Sequence, residues 1–259
     1  MVSVSITDIG VLISFWLVFT RTLTVLMQIP LLDNVSVPAP VKVLFCFVVS
    51  YAFFPYVEPW VLADVRAVGA EHFWYLTIVH TAIGLIIGFL IKSLMLVFAG
   101  TGALLSQQMG FAAVKYFDPS MGEQSGPIEK MISWTIIILI ISSGALLPMF
   151  KGLFNSFHSI TATNIGKFGS SPEFYFDFFK SVFVTSILLS TPIIFTNLMI
   201  NLVLGIVSRA VPQMNILMVS FAINIGLGLL VFVTISNEFF HVAYKMYVDK
   251  LGDWFQFVS

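Results

Sequence analysis

The sequence predicts an all-α integral membrane protein: about six long, partly kinked apolar helices arranged as hairpins, with one hydrophobic loop between the third and the fourth. Two observations carry this expectation. Hydrophobic residues fill 58% of the 259 positions, charged residues only 10%, and mean hydropathy is +0.99. A water-soluble domain carries about a quarter charged residues, so this composition cannot cover a water-facing surface. The apolar residues are also gathered into runs of membrane length, at about 9–32, 41–57, 73–100, 131–150, 181–207 and 216–236.

Each run has its own flaw. The first contains Arg21 and Pro30; Met1 to Thr7 lacks a basic region and a clear small-residue cleavage site, so Ile9 to Leu32 is expected to be a retained helix. The second is short and is expected to end at Pro55 and Pro59. It carries Cys46, the only cysteine, which excludes an intrachain disulfide or a cysteine metal cluster. The third contains His80 and Lys92, with Gly84 and Gly88 spaced for close helix packing. The fourth is free of charge, with Pro148 near its end. The fifth holds Pro192, Asn197 and Asn201, and the sixth has Gly226 and Gly228 beside Asn224.

Magnitudes decide whether these flaws matter. A central Arg or Lys costs about 2.5–3.5 kcal/mol on insertion, against about −0.3 to −0.6 for each Leu, Ile, Phe or Val, so spans this apolar still insert. Intramembrane charges face protein or water rather than lipid, which makes Arg21 and Lys92 candidates for polar contacts between helices. Snorkelling to an interface is the alternative. Lys and Arg in the loops slightly favour cytoplasmic termini. The net charge of −1 and pI of about 6.4 give no sign of nucleic acid as a partner.

Between the fifth and sixth runs, at about 208–215, the segment Arg209-Ala-Val-Pro212-Gln213-Met-Asn215 reads as a tight polar turn at a membrane surface. Pro212 stops one helix and lets another begin. Gln213 and Asn215 can serve the backbone groups that both helix ends leave unpaired, and Arg209 suits a helix C-terminus. The loop at about 106–126 is apolar and aromatic up to Phe117, then rich in breakers from Asp118-Pro119 onward. A hydrophobic, glycine-punctuated loop is costly both in water and in lipid, and is more comfortable inside a protein-lined cavity. There it could act as a removable stopper; the residues alone favour the plainer alternative, a re-entrant or interfacial loop with no moving role.

The run Gly102-x5-Gln108-Met109-Gly110-Phe111-Ala112 with Asp118-Pro119 and Gly122, followed by Arg209-x2-Pro212-Gln213-x-Asn215, resembles the FliR family of export-gate subunits in bacterial flagellar and virulence type III secretion systems. The resemblance extends over essentially the whole chain, read as one membrane-embedded subunit, residues 1–259. It departs at Ala145-Leu146, where histidine is common after the preceding glycine, and at Phe221-Ala222-Ile223-Asn224, where proline and lysine are expected. It implies a hetero-oligomeric, pore-forming complex with FliP-like and FliQ-like subunits in the bacterial inner membrane, at the flagellar basal body, with FlhB-like and FlhA-like proteins as further partners and unfolded export substrates as cargo. Met109, Gly110, Phe111, Ala112, Ala113, Val114, Tyr116 and Phe117 would form the plug, and Arg209, Pro212, Gln213 and Asn215 a docking tip for subunit assembly. Kinks at Pro30, Pro55, Pro148 and Pro192 would suit the family's broken helices. The mechanism implied is gating, with no cofactor, metal or catalytic residue.

Two readings from other classes compete. A small-solute secondary transporter could use Arg21, His80 and Lys92 with Glu58 or Asp64, although the halves show no internal repeat. An intramembrane enzyme is disfavoured because His72, His80, His158 and His241 are scattered and no HExxH or GxSxG motif occurs.

Overall fold

The computed structural model describes residues 9–29, 32, 37–111, 126–164, 172–213 and 215–258. Every element among them is helical: α1 (Ile9–Leu26), α2 (Ala39–Val68), a 3-10 turn (Ala70–His72), α3 (Phe73–Gln108), α4 (Pro127–Ser142), α5 (Leu146–Ser159), α6 (Pro172–Ala210) and α7 (Ile216–Val258). Five helices are long and apolar enough to cross a membrane, or six spans if α4 and α5 together count as one. Ala112, Ala113, Val114, Tyr116 and Phe117 of the expected plug, and the expected kink at Pro30, lie outside the described residues.

Four expected boundaries need correction. Helix α2 does not end at Pro55 and Pro59 but runs through both to Val68. Each proline forfeits one backbone bond, yet Phe54, Val57, Val61 and Val65 form a continuous buried stripe at helical spacing, and that packing carries the helix onward. Helix α3 does not end near residue 100. It continues to Gln108, so the loop opens at Met109 rather than about residue 106. Thr101 and Leu105, four apart and fully buried, hold this last stretch in register.

Helix α7 passes the end of its apolar run and reaches Val258. Beyond residue 236 it becomes amphipathic, with Phe239, Ala243, Tyr247 and Leu251 buried every fourth residue and Glu238, His241, Lys245 and Asp249 exposed. The charge-free fourth run is broken, and the break is at Gly144 rather than Pro148. Gly144 has φ +73°, a conformation that costs glycine nothing. Pro148 sits in the first turn of α5, where a missing N–H leaves no helical bond unmade. The carbonyls at the end of α4 are served locally. Leu139 accepts from the Ser143 N–H at 3.0 Å and the Ser142 hydroxyl at 3.1 Å, and Ile140 accepts from the Ser143 hydroxyl at 3.3 Å.

The chain divides into two compact units. The first comprises residues 1–93, 144–177 and 248–259, and the second residues 94–143 and 178–247. In the first, α1 packs on α2 through edge-to-face rings, Phe15 with Phe47 and with Phe54, centroids 5.4 Å apart in both pairs. Phe53 of α2 stacks on Phe154 of α5. Helix α1 also lies against the N-terminal part of α3 at glycine contacts. A Cβ on Gly84 would fall 2.7 Å from the carbonyl oxygen of Arg21, and one on Gly88 2.4 Å from Gln28 Nε2. Hydrogen as a side chain is what permits the approach, and Gln28 uses it to donate to the Leu85 carbonyl at 3.1 Å.

In the second unit, α4 buries Ile128, Ile132, Ile136 and Ile140, one residue per turn along a single face. The C-terminal part of α3 meets α6 through a hydroxyl, Ser186 Oγ donating to the Val97 carbonyl at 3.1 Å. Replacing Gly84 with valine is expected to destabilise the protein by about 1–3 kcal/mol, as overpacking against backbone does. Gly205→Ala, on an exposed stretch with nothing within 4 Å, should be neutral or gain up to about 1 kcal/mol. Unfolding of both variants in detergent micelles checks the contrast.

Candidate functional site

In the second unit the site is built on the end of α3. Gly110 has φ +83° and turns the chain out of the helix. The turn is fastened by Met109 N–H to the Leu105 carbonyl at 2.9 Å and Gly110 N–H to the Gln107 carbonyl at 3.2 Å. Met109 is fully buried, and Phe111 half-buried. Helix α7 receives them. A Cβ on Gly228 would lie 2.8 Å from Met109 Cγ and 3.4 Å from Met109 Cβ, while one on Gly110 would lie 3.5 Å from Phe221 and 3.9 Å from Ile225. Phe221, Asn224, Ile225 and Gly228 fall on one helical face. Asn224 Oδ1 is buried and without a hydrogen-bond partner.

Directly before the turn, Gln108 Oε1 accepts a hydrogen bond from Asn197 Nδ2 on α6, and Asn197 Oδ1 accepts from Asn201 Nδ2 at 3.2 Å. This amide ladder joins the last turn of α3 to a helix that is otherwise apolar there. Sequence reasoning noted Asn197 and Asn201 only as flaws in a span; their four-residue spacing was the available signal.

The hairpin tip is exposed. Arg209 lies in the last turn of α6, with Pro212 and Gln213 in the turn that follows. Asn215 acts as the N-cap of α7, its Oδ1 accepting from the Met218 N–H at 3.4 Å.

The first unit holds a second polar centre. Arg21 is fully buried in α1. It donates from Nη2 to the Ser156 carbonyl at 2.9 Å and from Nη1 to the Ile160 carbonyl at 3.0 Å, with its guanidinium carbon 4.5 Å from the centroid of the Phe157 ring. These are carbonyls at the C-terminal end of α5, where orphan acceptors and the helix dipole both favour a cation. Asp64, buried in α2, takes the other polarity: its Oδ2 accepts from the Ala162 N–H at 2.7 Å and lies 3.3 Å from His80 Nε2. The cluster is incompletely satisfied, since Arg21 Nε, Asp64 Oδ1 and His80 Nδ1 are buried without a partner. Lys92 is half-buried on α3 and Glu58 half-buried on α2. Among the described residues, no three histidine, cysteine, aspartate or glutamate side chains gather as metal ligands would.

The family described as "Bacterial export proteins, family 1" matches residues 12–249. The chain is 25% identical to the flagellar biosynthetic protein FliR of Bacillus subtilis over 237 residues, 90% of each chain. It is 24% identical to the protein of that name from Aquifex aeolicus, over 88% of this chain and 90% of the other. It is 22% identical to the Yop proteins translocation protein T of Yersinia pestis, over 63% of each.

Removing Arg21 with alanine should cost about 3–5 kcal/mol, because it empties a fully buried site and leaves the Ser156 and Ile160 carbonyls without their donor. The double variant Arg21→Met/Asp64→Leu should lose less than the sum of the two single losses. A double-mutant cycle of unfolding in detergent measures this.

Proposed function

The chain belongs to family 1 of the bacterial export proteins, and from that membership we propose that it is a pore-forming subunit of a flagellar type III protein export gate which holds the channel shut with its own loop. The family match, the flagellar and type III relatives and the membrane-length helices support this reading. The gating role rests chiefly on one observation: Met109, at the point where the chain leaves α3, is fully buried against Gly228 of α7.

In this reading Met109, Phe111, Val114, Tyr116 and Phe117 fill the closed lumen and exclude water. Ala112 and Ala113 keep the stretch slim, and Gly110 gives the chain its turn. Methionine suits such a seal because its unbranched thioether adapts to irregular surfaces. Arg209, Pro212, Gln213 and Asn215 form an exposed tip that docks on neighbouring subunits. FliP-like and FliQ-like chains complete the pore in the inner membrane, FlhB-like and FlhA-like proteins meet it on the cytoplasmic side, and unfolded export substrates pass through. The energy comes from elsewhere in the machine, and the chain performs no covalent chemistry.

The transporter reading draws on the buried Arg21, Asp64 and His80. Most of their hydrogen-bonding groups are engaged by the backbone around the end of α5 or by one another, which suits an architectural role better than a substrate site. Solute uptake by the purified chain alone would favour the transporter. Deleting residues 109–114 should make the assembled complex leak small ions, read as a rise in membrane conductance. A seal as tight as that of the parent complex would remove the gating role.

A further inference from the structure

We propose that Gly228 on α7 is the seat of a releasable latch, occupied by Met109, and that export requires Met109 to leave this seat. The inference rests on the gating role above and adds where, within this chain, the closed state is held.

Three observations carry it. First, the fit is specific to glycine. Gly228 is itself buried, and a Cβ there would lie 2.8 Å from Met109 Cγ, 3.4 Å from its Cβ and 3.6 Å from its Cα. A side chain at 228 would push the Met109 side chain aside at Cγ, while the Met109 Cα would stand at ordinary contact distance. Gly226, two residues away, faces open space and lacks this relation.

Second, the latch sits at a joint. On one side of it α3 is fixed by the Gln108–Asn197–Asn201 ladder. On the other, Gly110 at φ +83° allows the chain to change direction. Met109 thus lies between a pinned helix end and a turn, held to the helix by its N–H to the Leu105 carbonyl at 2.9 Å.

Third, the seat is imperfectly satisfied. Asn224 lies one turn before Gly228 on the same face, and its Oδ1 is buried without a partner. The occupied state thus carries an unmet hydrogen bond, which water or a backbone amide would supply once Met109 withdraws. Apolar fit holds the latch closed while the orphaned acceptor favours opening. Two opposing terms of this kind make an element bistable rather than permanently shut.

The test is a reversible crosslink in the assembled export complex. The Cβ separation of 3.4 Å lies a tenth of an ångström below the range a disulfide spans, roughly 3.5–4.5 Å, and a small shift brings the pair into it. Met109→Cys/Gly228→Cys is introduced into a Cys46→Ser chain, so this chain carries no other thiol. After treatment with copper phenanthroline, the disulfide should form, and export of substrate into the medium should fall at least tenfold and recover with a reductant. Met109→Cys/Gly205→Cys should form no disulfide.

A disulfide that forms while export continues overturns the latch, and so does failure of the pair to crosslink in the assembled complex. Should the paired cysteines prevent assembly, Gly228→Ala against Gly226→Ala decides. The first should raise ion leak several-fold and the second leave it unchanged, and equal effects overturn the proposal. The two failures are separable. A crosslink that blocks export, in a complex whose seal survives deletion of 109–114, sinks the stopper and keeps the latch; a leaking deletion beside an indifferent crosslink does the reverse.

Discussion

A guanidinium wholly removed from water must find acceptors within the fold, and Arg21 finds them among the backbone carbonyls that the end of α5 leaves without helical partners. The end of α5 presents the carbonyls of Ser156 and Ile160 to Arg21, and the chain just beyond presents the Ala162 amide to Asp64. Two charged side chains from α1 and α2 thereby tie down both polarities of a third element. Because His80 of α3 bonds the same carboxylate, four segments distant in sequence meet on a single hydrogen-bonded knot. In an apolar medium, where dispersion alone distinguishes helix–helix from helix–lipid contact poorly, such a knot gives the packing its register.

The second unit reaches order differently, by pairing side chains with gaps. The isoleucine stripe of α4 supplies one buried residue per turn. Met109 fills the space that Gly228 leaves empty, and the Gln108–Asn197–Asn201 amides align α3 with α6. Of these, only the amides are directional. They stand beside the methionine, so the most sharply positioned part of the unit adjoins the point at which the helix gives way.

The apolar spans were legible because hydrophobic runs of this length have few other uses, and the turn at Pro212 because proline and asparagine act locally. Asn215 caps its helix through a hydrogen bond three residues long, a distance over which sequence determines geometry. Misreadings arose where tertiary packing outweighed a local signal. Pro55 and Pro59 looked like terminators, but the stripe from Phe54 to Val65 carries the helix through them. The apolar run fades near residue 100, although buried Thr101 and Leu105 keep α3 helical to Gln108. The Arg21–Asp64–His80 meeting was invisible, since nothing at positions 21, 64 and 80 announces that they converge.

The interruption at Gly144 has a consequence for depth. Helices of 16 and 14 residues extend about 24 and 21 Å, less than the oily thickness of a bilayer, about 30 Å. An ordinary broken helix at such a level would need solvent to wet its exposed ends. This one brings its own donors, with two serine hydroxyls answering Leu139 and Ile140. The carbonyl side of the kink is therefore self-sufficient: the last turn of α4 keeps partners for its acceptors in a dry surrounding as in a wet one.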